Sequence, residues 1–393
     1  MTATPVRPRA PHDWLVSGGR LLRDGRLGDG DLALVQGQIA EAAPAGARVV
    51  DADGLLVLPG IIDVHGDAFE RQVMPRPGVA FDLVTALLDT DRQLVANGIT
   101  TAFHGVTWSW EPGLRGAANA RALLAALETL GDDLAADTRY HLRHETFNLD
   151  GEAEILDWLA TGRVGCLAFN DHMAGTLKER ARPEKIGKMI ERSGLERDDF
   201  MRLVDVVHGR RDEVPASIER LAAAARASGI AMLSHDDMTP EMRRWFRALG
   251  VAIAEFPIDE ATAQEAVSAG EATVFGAPNV LRGGSHTGCP SAAEMVRRGL
   301  CTILASDYYY PALAAAPFRL EADGAADFAA AWALVSKNPA AAMGLADRGR
   351  LECGLRGDVV LIDPPGPDGR PRVIATFVAG RLVHLADATR LAG

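Results

Sequence analysis

The chain has 393 residues, with 53 Asp and Glu against 41 Lys and Arg and a formal net charge of −12. That length can bury a large core, and so acidic a balance argues against nucleic acid or an anionic membrane as main partner, since both need a basic face. Cys166, Cys289, Cys301 and Cys353 stand far apart, which fits reduced thiols; with no apolar signal core and no bilayer-length run, the expected location is the cytoplasm.

Residues 13–58 alternate short apolar runs with turns such as Asp24-Gly25 and Asp29-Gly30. This is the pattern of small antiparallel strands. The tail repeats it at 357–363, 372–378 and 380–383. Neither end has enough strands for a stable sheet alone. The two are expected to join as one small β-sandwich domain, residues 1–58 and 346–393, with the middle inserted between them.

Over 59–345 the rhythm changes to apolar strands separated by helical stretches, which predicts right-handed βα units. Strands are read at 61–67, 99–106, 140–145, 164–172, 231–237, 251–257, 273–279 and 302–307. Eight of them favour a closed (β/α)8 TIM barrel over an open sheet.

Strand after strand begins apolar and finishes polar: His65 and Asp67, His104, Glu145, His172, His235, Asp307. The C-terminal strand ends of such a barrel converge on its active site. A single His-x-Asp at a strand tip is more often a polar turn than a ligand pair. Six strands that deliver a ligand-type residue in the same relative place point instead to a metal centre. Imidazole and carboxylate suit a divalent transition metal. Such an ion lowers the pKa of bound water to about 7 and so supplies hydroxide.

These residues carry a resemblance. The run Pro59-Gly60-Ile61-Ile62-Asp63-Val64-His65 resembles the first strand of the amidohydrolase superfamily, and Asp307 matches its acidic residue on strand eight. The likeness narrows to the diphosphatase branch of phosphonate catabolism. It is carried by His65-Gly66-Asp67 with Pro75-Arg76-Pro77, by Ser234-His235-Asp236-Asp237 and by Ala254-Glu255-Phe256-Pro257. The run 276–288 and Ser306-Asp307-Tyr308-Tyr309 complete the set. Departures accompany it: Asp67 stands where most of the superfamily has a second His, and no lysine lies between Val164 and His172. The resemblance implies Glu145 as the substitute anion, and residues 66 and 68 (Gly66, Ala68) are smaller than that branch leads one to expect.

The expected ligands are His65, Asp67, Glu145, His172, His235 and Asp307, with Asp307 also the general base. One or two ions are expected, zinc first, with manganese or iron as alternatives. Phosphoryl transfer asks for positive charge on non-bridging oxygens, so Arg76 and Arg282 are expected substrate contacts. Asn279, Ser285 and His286 join them from the Gly-rich run. The segment 178–192 holds six Lys and Arg against three Glu; it reads as a solvated helix face or as a lid for a polyphosphate.

The leading expectation is a metal-dependent hydrolase that splits a phosphoanhydride of a small phosphorylated substrate. The alternatives are hydrolysis of a C–N bond (deacetylase, deaminase or cyclic amidase) and an inactive barrel serving as a scaffold. A homo-oligomer is a family-level expectation only.

Overall fold

Gly60 is where one sheet hands the chain to another. The computed structural model describes residues 12–76, 78–180, 182–284, 290–366 and 369–392. In it Leu56–Pro59 belongs to a nine-stranded sheet, whereas Ile61–Gly66 (β1) opens an eight-stranded one. The apolar run around Pro59 thus forms two strands, and the break falls next to the domain boundary expected between 58 and 59. Gly60 N donates to Asp358 O at 2.9 Å, and Ile61 N donates to Gly98 O at 3.1 Å. A Cβ at position 60 would lie 2.4 Å from Thr100 Oγ1, so only glycine fits the crossing.

The nine-stranded sheet draws on both chain ends, as expected. Its order is Arg381–Leu385, Arg372–Val378, Val359–Asp363, Leu56–Pro59, Trp14–Arg23, Arg26–Val35 and Gln38–Ala40. Arg48–Asp51 pairs with Trp14–Arg23 and with Leu391–Ala392. Its buried face carries Trp14, Val16, Leu32, Leu34, Val57, Leu361 and Phe377. Trp14 meets Phe377 edge-on at 5.6 Å. Alternating burial along these strands gives the sheet one apolar face.

The eight-stranded sheet takes its strands in sequence order. After β1 come Ile99–Trp108 (β2), Asp137–Glu145 (β3), Cys166–Asn170 (β4) and Ala231–His235 (β5). Ile253–Glu255 (β6), Ala272–Gly276 (β7) and Ile303–Ala305 (β8) follow. The pairs from β3 to β7 are parallel. At the far edge Asp307 N donates to His65 O and Asp67 N donates to Asp307 O, both at 2.9 Å. The last strand thus returns to the first, and the sheet closes as a (β/α)8 barrel.

Helices separate the strands, and their starts are legible as caps. Asp82 caps Leu83–Ala96 by accepting from Thr85 N, Thr239 caps Pro240–Ala248, and Asp259 caps Glu260–Ser268. All eight strand bounds shift, and some shifts move a candidate residue. The structure extends β2 through Trp108, which puts His104 inside a buried strand rather than at its tip. It ends β4 at Asn170, so His172 is the N-cap of Met173–Glu179. It also ends β7 at Gly276, where Pro278 helps turn the chain into the short helix Ala277–Arg282.

By contacts the chain forms two compact units. One comprises the chain up to Ala102, 130–138 and Gly276 onward; the other comprises Phe103–Thr129 and Arg139–Phe275. In the second, Phe169 stacks on Phe246 at 5.8 Å and Trp108 meets Trp158 at 4.8 Å. There the charged insertion folds into Met173–Glu179, Pro183–Ser193 and Arg197–Gly209, around Met173, Ile186, Phe200 and Val204.

In the first unit a buried carboxylate ties β8 to β1. Asp63 accepts from Ser306 N at 3.0 Å, from Ser306 Oγ at 2.5 Å and from His65 N at 3.3 Å. Burial raises its pKa in spite of those bonds. Replacing a buried, fully used acceptor strands its donors. Asp63→Ala is therefore expected to lower stability by roughly 2–3 kcal/mol, read as a lower urea midpoint at unchanged slope.

Candidate metal centre

The candidate ligands sit where strands end in an uncommon backbone turn. Asp236 follows β5, Phe256 follows β6 and Asp307 follows β8, with φ of 58°, 55° and 52°. Left-handed conformations of non-glycine residues cost of order 1–3 kcal/mol each and cluster at functional sites. Each of the three amides reaches back to the ladder. Asp236 N donates to Glu255 O at 2.8 Å, Phe256 N to Val274 O at 3.0 Å, and Asp307 N to His65 O at 2.9 Å. The strand tips are thereby fixed in direction, and so are the side chains they present.

In the first unit His65, Asp67 and Asp307 bring one ligand atom each to within 4.8 Å of one another. His65 is 1% exposed at the end of β1. Gly66 between them is obligatory: a Cβ there would lie 2.6 Å from Asp63 Oδ2 and 2.9 Å from Ser306 Oγ. The small residue at 66, a departure from the expected pattern, thus follows from the Asp63–Ser306 lock.

In the second unit His172, His235 and Asp236 form another such group. Asp236 Oδ2 lies 3.6 Å from His172 Nε2 and 3.6 Å from His235 Nε2. Donor atoms around a tetrahedral ion with bonds of about 2.0–2.1 Å stand roughly 3.4 Å apart, so the arrangement fits one. Each imidazole is held from behind by a carboxylate: His172 Nδ1 meets Glu145 Oε1 at 2.6 Å and His235 Nδ1 meets Glu255 Oε2 at 2.7 Å. Arg143 Nη2, which can only donate, lies 3.2 Å from His235 Nε2. With a carboxylate on Nδ1, that sets the tautomer with a lone pair on Nε2, the form a metal takes.

Charges follow from these contacts. Burial pushes the Glu145 pKa up, but His172 and Arg143 outweigh it and hold the group below the usual carboxylate range. Burial likewise opposes ionisation of Asp236, and His235 and His172 reverse the effect. The charge of Glu145 is the main cause that raises the His172 pKa to about 9.

Of the expected ligands, Glu145 is brought against a ligand imidazole rather than into either group of three. His104 lies in neither group. Arg76 is exposed in a turn bridged to Val79, and Arg282 donates to Tyr308 Oη at 3.1 Å. Asn279 accepts from Ala292 N at 3.1 Å, a bond that holds the following helix. Ser285 and His286 lie outside the described residues. Among the described side chains of the insertion, Arg180 pairs with Asp205 at 2.6 Å and Arg192 with buried Glu111 at 2.5 Å.

The residue-by-residue reading of the sequence gave no role to Asp236, Glu255 or Arg143. Asp236 and Glu255 stood in the quoted motifs. Arg143 had a usable signal, because it shares a strand face with Glu145 two residues on.

A model of the amidohydrolase family matches residues 201–384. The α-D-ribose 1-methylphosphonate 5-triphosphate diphosphatase of Escherichia coli (strain K12) is 32% identical over 358 residues, 88% of this chain and 94% of that protein. The chain belongs to the amidohydrolase family. Its fold is shared by a prolidase solved with N-methylphosphonate-L-proline, at a TM-score of 0.62 and 15% identity over 95% of this chain and 100% of that one. A D-hydantoinase gives a TM-score of 0.63 at 14% identity, over 94% and 95%. This amidohydrolase is thus a hydrolytic enzyme of a family that typically uses a divalent metal, and its two donor groups suit one.

His172 gives the metal dependence a sign. Its folded pKa lies above the ordinary value of 6.5, so its proton stabilises the metal-free fold below about 6.5, and that contribution is lost as pH rises through 9. Ligation needs the proton gone. For protein stripped by a chelator, affinity for Zn²⁺ or Mn²⁺ is expected to rise roughly tenfold per pH unit towards pH 9. In His172→Ala the rise should flatten, as followed by competition with a chromophoric chelator.

Proposed function

We propose that this amidohydrolase is a metal-dependent diphosphatase that splits a phosphoanhydride. In this reading it converts α-D-ribose 1-methylphosphonate 5-triphosphate to the 5-phosphate and pyrophosphate in phosphonate catabolism. The observation that carries the reading is the likeness to the E. coli enzyme over 94% of that protein's length, together with two ligand groups at the C-terminal strand ends. That is the end at which barrels of this kind carry their chemistry.

His65, Asp67 and Asp307 would hold an ion, as would His172, His235 and Asp236. All of them fall within 59–345, the segment proposed as the catalytic domain. Two imidazoles with carboxylate oxygen favour zinc. When bound, a divalent ion supplies Lewis acidity and lowers the pKa of water to about 7.

The chain's own groups do the rest. Asp307, pinned by its backbone bonds to the end of β1, aims the attacking water and takes its proton on the carboxylate. Glu145 and Glu255 hold the rings of His172 and His235 in one orientation. Arg143, 5% exposed, supplies fixed positive charge for non-bridging oxygens. Arg76, Asn279, Arg282, Ser285 and His286 are proposed to meet the polyphosphate from the loops.

The test is turnover of the triphosphate, followed as pyrophosphate release, beside a panel of N-acyl compounds and cyclic amides. Pyrophosphate release with the panel left intact supports the reading; turnover of an amide without the triphosphate defeats it. Asp307→Asn is expected to lower kcat about 10²- to 10⁴-fold while His65→Ala also loses metal, measured by elemental analysis.

A further inference from the structure

Asn170 closes β4 in register with Glu145 of β3 on one side and His235 of β5 on the other. His235 is in turn in register with Glu255 of β6. Register neighbours in a parallel sheet present their side chains on one face. Glu145, Asn170, His235 and Glu255 therefore make a single polar row, none of them more than 7% exposed.

Three members of the row are engaged through their side chains, Glu145 with His172 and His235 with Glu255. The Asn170 main chain is engaged too, since its carbonyl accepts from Thr146 N at 2.8 Å. Its side-chain amide differs. At 0% exposure, neither Nδ2 nor Oδ1 meets a hydrogen-bonding partner among the described residues. A buried amide left unsatisfied costs of order 1–3 kcal/mol. Each such group in a native fold calls for an explanation, a catalytic role or a bound water or ion among them.

We propose that Asn170 is a substrate-contact residue, whose Nδ2 donates to an anionic oxygen of the phosphoryl substrate beside His172 and His235. This rests on the phosphoanhydride reading. The row itself selects a donor over an acceptor. An anionic oxygen that approaches between Glu145 and Glu255 meets two carboxylates, and a neutral N–H donor midway attracts it without adding charge to the buried row. The amide is also held in place by strands on both sides, so little reorganisation accompanies binding. It stands on strand four, the strand on which the lysine expected of many family members is missing.

The experiment uses the metal-loaded, full-length enzyme and inorganic pyrophosphate as probe. Asn170→Asp keeps the size of the side chain and turns the donor into an acceptor. Asn170→Leu removes both polar atoms at similar volume. Calorimetric titration is expected to show at least tenfold weaker pyrophosphate binding in both variants, with metal content unchanged. Without pyrophosphate, Asn170→Leu is expected to melt at or above the wild-type temperature, because no protein hydrogen bond is lost.

Unchanged affinity in the variants overturns the proposal. So does a melting point several degrees lower in Asn170→Leu, which would make the amide structural, and so does loss of metal from it, which would make Asn170 a ligand. If the wild type neither binds nor releases pyrophosphate, the phosphoanhydride reading fails and takes the proposal with it. If the wild type does both and the variants bind equally well, the Asn170 proposal fails alone.

Discussion

Carboxylates placed inside a barrel oblige the fold to bring positive charge to them. Glu145 and Glu255 are 5% and 0% exposed, and burying an ion without a partner is prohibitive. Here the His172 imidazole, its pKa raised to about 9, pairs with Glu145 at 2.6 Å, and Glu255 accepts from His235 Nδ1 at 2.7 Å. The pairing serves both sides. It makes the carboxylates tolerable, and it leaves each ring with Nε2 aimed at Asp236. A bound divalent ion would add positive charge to this cluster.

The same logic explains why the donors lie at strand ends or within two residues beyond them. A ligand must be held to a fraction of an ångström, and a β-ladder does that better than a flexible connection. The positive φ at Asp236 and Asp307 is the cost of turning a side chain inward immediately after the last ladder bond. Asp63 extends the device by one more layer, since its two bonds to Ser306 hold β8 against β1.

Much of this was legible in the sequence because it is periodic or local. Apolar runs that finish in His, Asp or Glu marked the strand tips at His65, His235 and Asp307, and alternating runs at both ends marked the shared sheet. Other features depended on partners remote in sequence. The change of partners from Asp358 at Gly60 to Gly98 at Ile61 is not written in the run 56–67. His104 was read near the tip of a strand ending at 106, yet packing carries β2 on to Trp108. Glu255 and Asn170 were invisible as site residues because their meaning lies in register with His235, and register is not written in any single strand.

The account turns on the claim that His172 and His235 are metal ligands oriented by carboxylates, and metal content tests this most directly. Elemental analysis of the purified wild type should find at least one equivalent of a divalent transition metal. His235→Ala should lose it, and Glu255→Gln should retain it with weakened affinity. A wild-type protein that carries no such metal and takes up none when Zn²⁺, Mn²⁺ or Fe²⁺ is added would contradict the account.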